Sequence, residues 1–173
     1  MVGLVPVVSQ PGVISTLADW EIDGRQYRRA LEAARICGFG QFALSGVLWH
    51  HGEDDSRGTE DAARYYDRLS RLISNLRLDL QMPQLPFVLA ELPRSLPRDA
   101  FPGLAMVADA TARVSESCEL TTFVSSDGLN SREGPLAPNA YRELGFRCAL
   151  SLLTIQPSIR FGSNGNPVYE VEA

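Results

Sequence analysis

Lysine is absent from the 173 residues, so all 16 basic side chains are arginine. Against 21 acidic residues they leave a net charge of −5 and lie scattered among carboxylates, which excludes the basic stripe that nucleic-acid binding needs. Cysteine is scarce as well. Cys37, Cys118 and Cys148 are odd in number, widely spaced and form no C-x-x-C pair, which argues against a disulfide framework and a zinc site. No stretch approaches the ~20 apolar residues of a membrane span, and Met1–Val8 carries no basic leader, so the chain as given reads as cytoplasmic; a form with a different start would be open to secretion. Histidine occurs only as the neighbours His50 and His51.

What remains is an ordinary globular composition, 45% hydrophobic and 21% charged, in a chain of one-domain length. Near-continuous apolar runs at 2–8, 42–49, 86–92 and 120–124 predict strands buried on both faces. Helical stripes separate them over 26–37, 59–80 (with Thr59-Glu60-Asp61 as the cap), 104–117 and 139–153. Strand and helix in alternation predict an α/β domain over residues 1–155, with a parallel sheet of about four strands between two helical layers. Residues 156–173, rich in Gly, Ser, Asn and Pro, read as a tail ending in a short extended piece, 168–171. The proline-rich stretch 92–102 reads as a stiff connector.

In such sheets ligands gather beyond the carboxyl ends of the strands. Three segments belong to that edge: Ser9-Gln10-Pro11-Gly12, the loop from Trp49 to Asp55, and Ser125-Ser126-Asp127-Gly128, the last an ordinary turn. The middle one concentrates an indole, both histidines, a glycine and the acids Glu53, Asp54 and Asp55. Adjacent histidines on extended backbone point to opposite sides, which argues against a metal site there.

Gly46-Val47-Leu48-Trp49-His50-His51-Gly52-Glu53-Asp54-Asp55 resembles the G-V-L-W-H-Q-G-E-S-D block of the sialate O-acetylesterase and acetylxylan esterase branch of the SGNH hydrolases. His51 stands for the block's glutamine and Asp54 for its serine. Val2–Pro6, Trp20–Ala34, Leu85–Val88 and Tyr141–Gly145 are similar, in order, to further segments of that family. The resemblance implies a flavodoxin-like SGNH fold, an acetylated carbohydrate as ligand, no cofactor, and ester hydrolysis through a serine acyl-enzyme.

The family's machinery is incomplete here. No Gly-x-Ser motif occurs, and residues 130–138, where the family carries Asp-x-x-His, hold no histidine. A degenerate or truncated member is therefore expected, one that lacks the family's first strand and is completed by an upstream segment or a second chain. Gly12, Trp49, His50, His51 and Glu53 are the expected substrate and oxyanion residues. Ser9 as a substitute nucleophile, with His51 as base and Glu53 or Asp55 orienting it, is the catalytic alternative. A carbohydrate-binding pseudoenzyme is the alternative without turnover.

Overall fold

A computed structural model describes residues 3–9, 13–38, 43–129, 136–156, 158–161 and 167–170. Its centre is a parallel sheet of β1 (Val47–Trp49), β2 (Phe87–Ala90) and β3 (Thr121–Val124) in the order β1-β2-β3, with Leu48 opposite Val88 and Val88 opposite Thr122. The crossovers are α2 (Thr59–Asp79) and α3 (Leu104–Ser117), and α4 (Pro138–Ile155) follows the last strand. Successive side chains of a strand point to opposite faces. Phe87 and Leu89 accordingly join the core beneath α2 and α3, whereas Val88 and Ala90 join the one beneath α4. The helical stripes meet them: Tyr65, Leu69, Leu72, Ile73 and Leu76 of α2, Val107 and Val114 of α3, Ala140, Leu144 and Cys148 of α4. α1 (Arg25–Gly38) packs on the α2 side, where the Tyr27 hydroxyl donates to Asp79 at 2.5 Å.

The αβα architecture agrees with the sequence, but the sheet has three strands where about four were expected. The run at 2–8 is the difference. Residues 3–9 form no strand, and Leu4, Val5 and Val8 are 81%, 52% and 63% exposed. A strand is held by its ladder neighbours more than by its own propensity. Among the described residues β1 pairs with β2 alone, so the apolar run has no central strand to join. For the same reason the expected strand 42–49 shrinks to Val47–Trp49. Leu48 is 44% exposed although its register partner Val88 is fully buried, so β1 is the less covered margin of the described sheet.

Two smaller expectations change. α2 is capped by Gly58 without a side-chain bond, and Glu60 and Asp61 act instead within its first turn, where negative charge meets the positive end of the helix dipole. The tail contains an antiparallel pair, β4 (Ser158–Phe161) and β5 (Pro167–Glu170), with Ile159 opposite Tyr169. Along 92–102 the prolines shape successive turns, with Leu96 N–H donating to Pro93 and Ala100 N–H to Pro97. Among the described residues no helix is long and apolar enough to cross a membrane.

One guanidinium ties the amino ends of the layers together. Arg77, near the end of α2, donates to the carbonyls of Leu85 (3.0 Å), Glu119 (2.7 Å) and Leu120 (3.3 Å) and lies over the Phe87 ring at 5.4 Å. Its planar fork reaches the lead-ins of two strands at once, which a point-charge ammonium does not. Arg77→Ala should lower unfolding free energy by about 2–4 kcal/mol in urea titration, with Arg77→Lys recovering only part of the loss.

Candidate functional site at the carboxyl ends of the strands

The loop leaving β1 is built around a buried phenol. The Trp49 indole N–H donates to the Tyr65 oxygen at 3.2 Å, and the Tyr65 hydroxyl donates to the His51 carbonyl at 2.7 Å. Tyr65 is fully buried in α2, so the helix dictates the loop's path. Gly52 follows with φ +124°, and a Cβ there would lie 2.8 Å from Val107 and 3.0 Å from the Tyr65 oxygen, so the block's glycine is required twice over. The Ser56 hydroxyl then closes the turn on the Glu53 carbonyl at 2.7 Å, and Gly103 N–H donates to Ser56 at 2.9 Å, joining the loop to the start of α3.

A second segment lies across this loop. Residues 13–16 and the 3-10 turn Leu17–Trp20 are pinned by main-chain donors: Ser15 N–H to Asp54 Oδ2 at 2.8 Å, and Leu17 N–H to both oxygens of Asp55 at 3.0 and 3.2 Å. Trp20 stands edge-on to Trp49 with centroids 4.9 Å apart, and the His51 ring completes a triangle with them, 6.0 Å from Trp20 and 5.0 Å from Trp49. His51 Nδ1 is 3.7 Å from Asp55 Oδ2, an ion-pair separation too long for a hydrogen bond. Burial dominates both titrations. It pushes His51 down to about 4, against the pull of Asp54 and the Ser15 main chain, and Asp55 up to about 6, against the Leu17 N–H.

The two histidines part company at once. His50 is exposed and meets Tyr141 of α4 edge-to-face at 6.0 Å. Burial raises the Tyr141 phenol, and the nearby Glu53 charge raises it further, so loop and helix start face each other across the sheet edge. The loop therefore divides into an inner set, Trp49, His51 and Asp55, and an outer set, His50 and Glu53.

Ser9 is drawn elsewhere. Its oxygen accepts from Gln26 Nε2 of α1 at 3.0 Å, and it is not a hydrogen-bond partner of His51, Glu53 or Asp55. Gly12 lies outside the described residues, as does 130–135. After β3, the turn Ser125–Gly128 hangs on Glu91, which sequence reasoning missed. This buried carboxylate accepts from Ser125 Oγ (2.9 Å), Ser126 N–H (2.8 Å) and Arg94 Nε (2.8 Å). Burial works to raise Glu91, but those donors hold it below the ordinary carboxylate range. Asp127 is exposed and faces Arg94 at 3.5 Å. Ser15, Trp20 and Tyr141 were also missed as site residues; only the aromatic character of the last two offered a signal. Among the described residues no group of His, Cys, Asp and Glu is arranged to hold a metal ion.

A parallel sheet between helices, with a polar, aromatic loop at its carboxyl edge, is the layout of an open α/β domain whose ligand site lies at the strand ends. A family profile, carbohydrate esterase of the sialic acid-specific acetylesterase type, matches residues 1–154, and the chain belongs to that family. The "Probable carbohydrate esterase" of Arabidopsis thaliana is 38% identical over 91 residues, 51% of this chain and 33% of the relative, so the chain spans about a third of that protein. The X-ray structure of the Arabidopsis protein superposes with a TM-score of 0.63 at 27% identity, covering 81% of this chain and 57% of that one. A carbohydrate acetylesterase of Xanthomonas citri shares the fold at 18% identity, TM-score 0.59, over 69% of this chain and 29% of its own.

The opposed shifts of His51 and Asp55 give a pH test. Asp55, raised from 3.8 to about 6, contributes stability that is full below pH 3.8 and lost as pH rises through 6. His51, lowered from 6.5 to about 4, contributes stability that is full above pH 6.5 and lost as pH falls through 4. Between about 4 and 6 the folded chain holds one proton on Asp55 and the unfolded chain one on His51, so the pair gives no net slope. Thermal melts across pH should expose each half. Asp55→Asn should lose about 3 kcal/mol on acidification towards pH 4, and His51→Gln about 3 kcal/mol on raising pH towards 6.

Proposed function

We propose that residues 1–155 present a crevice for acetylated carbohydrate along the carboxyl edge of the sheet, without the serine chemistry that hydrolyses the ester. The observation that carries this reading is the loop Trp49–Asp55, which leaves β1 at that edge and sets His50 and Glu53 opposite Tyr141. An aromatic ring beside a carboxylate suits a pyranose, whose C–H face packs on the ring while its hydroxyls donate to the acid.

Hydrolysis through an acyl-enzyme needs an activated hydroxyl and a base in contact with it. Ser9 is engaged by Gln26, and the His51 ring is largely buried beside the Trp20 and Trp49 indoles. The purified chain should remain unlabelled by a fluorophosphonate and release no acetate from acetylated glycans, while calorimetry detects binding of an O-acetylated glycoside. Turnover at an appreciable rate defeats the non-hydrolytic reading, and absence of heat with any acetylated sugar defeats the crevice.

The edge of β1 that no described strand pairs with favours a second reading, in which another polypeptide segment adds a parallel strand there and brings a Gly-x-Ser nucleophile to the loop. Supplied in trans, the part of the Arabidopsis relative outside the matched 91 residues should confer fluorophosphonate labelling. If the mixture stays inert and the two fail to associate on gel filtration, this second reading falls.

A further inference from the structure

Burial alone leaves the roll of α4 undecided. Ala140, Leu144 and Cys148 lie buried against the sheet, yet Phe146, Leu150 and Leu153 of the same helix are 60%, 49% and 68% exposed. At about 3.6 residues per turn, side chains two positions apart lie on nearly opposite sides, so Phe146 and Leu150 face away from Leu144 and Cys148. A surface helix normally carries one apolar stripe, and that stripe fixes the side laid on the sheet. With two stripes on α4, a polar contact has to choose between them.

That contact passes through the turn after β3. Glu91, buried just beyond β2, accepts from Ser125 Oγ (2.9 Å), Ser126 N–H (2.8 Å) and Ser126 Oγ (3.2 Å). On its other side the turn presents carbonyls. Those of Ser125 and Asp127 accept from Arg147 Nη1 at 3.1 and 2.9 Å, while Glu143 holds Arg147 Nε at 3.1 Å. The turn therefore gives hydrogens to the β2 end and takes them from α4. Each of these groups on Glu91, and Arg94 Nε as well, is a donor, so an amide in place of the carboxylate would set its own NH2 against one of them.

Tyr141 precedes Arg147 on the helix, about 120° around its axis and about 9 Å along it. Arg147 thus grips the flank beside β3, while Tyr141 reaches the loop after β1 and meets His50. A roll that breaks the Arg147 bonds carries Tyr141 away from His50. We propose that Glu91 and Arg147 are positioning residues, which act through the turn Ser125–Gly128 to choose the side of α4 laid on the sheet and so set Tyr141 opposite His50. The effect on binding rests on the crevice of the preceding subsection; the choice of roll does not.

Cys148 reports the roll, because it is 5% exposed in this orientation and points outward in the other. In a chain carrying Cys37→Ser and Cys118→Ser, Arg147→Gln should speed the reaction of Cys148 with a thiol reagent about tenfold in native buffer, with far-ultraviolet circular dichroism unchanged. The same variant should lose the nuclear Overhauser contact between the His50 and Tyr141 rings and bind an acetylated glycoside about threefold to tenfold more weakly. Arg147→Lys should recover part of each, and Glu91→Gln should behave as Arg147→Gln does. Adding Phe146→Gln and Leu150→Gln to Arg147→Gln separates a roll from plain loss of stability. With one apolar side left on α4, Cys148 should become slow again and the ring contact should return.

A Cys148 thiol as protected in Arg147→Gln as in the parent chain overturns the proposal. So does failure of the two outer substitutions to restore that protection, which marks the effect as general loosening. Exposure of Cys148 with undiminished glycoside binding overturns the link to Tyr141. If the parent chain binds no acetylated glycoside, the crevice falls by itself, and the thiol rates and the ring contact still decide the roll.

Discussion

The carboxyl edge depends on the pair of bonds made by one phenol. Tyr65 takes a hydrogen from Trp49 and gives one to the His51 carbonyl, so a single side chain of α2 fixes where β1 stops and how the next residues turn. Because Tyr65 is fully buried, the loop's conformation is a property of the helix–sheet packing and not of the loop alone. Gly52 is forced into the left-handed region by the same contact, and Asp54 and Asp55 are thereby presented to the amides of Ser15 and Leu17.

Most of the architecture was legible in the residues. The stripes of α2, α3 and α4 are periodic and long, and helices of that kind announce themselves through local spacing. The runs that became β2 and β3 were found as near-continuous apolar stretches, and each became a strand because it has a ladder partner. The run at 2–8 is just as apolar, and it failed because pairing is a non-local property that no window of sequence contains.

The site was legible in its place but not in its roles. The block Trp49–Asp55 stood out by composition, and it does lie at the strand ends. Nothing in the pattern told which histidine turns inward, since that follows from Tyr65 gripping one carbonyl fourteen residues away in sequence. Glu91 reads as one more acid after a strand; only the three-dimensional meeting of β2 and β3 reveals that it organises the Ser125–Gly128 turn. Ser15 left no trace, because what it gives the site is a main-chain N–H on Asp54, a group that nearly every residue carries.

Residues 13–20 are held to the loop after β1 from far along the chain. The helix-linked strands are spatial neighbours in chain order, whereas the Ser15–Asp54 and Leu17–Asp55 bonds close loops of 39 and 38 residues. Contacts of such sequence separation form late, because loop closure costs entropy before they reward it. Leu17 and Trp20, buried in the core beneath α2, hold them once they are made, so this margin arrives last in folding yet melts with the body it covers.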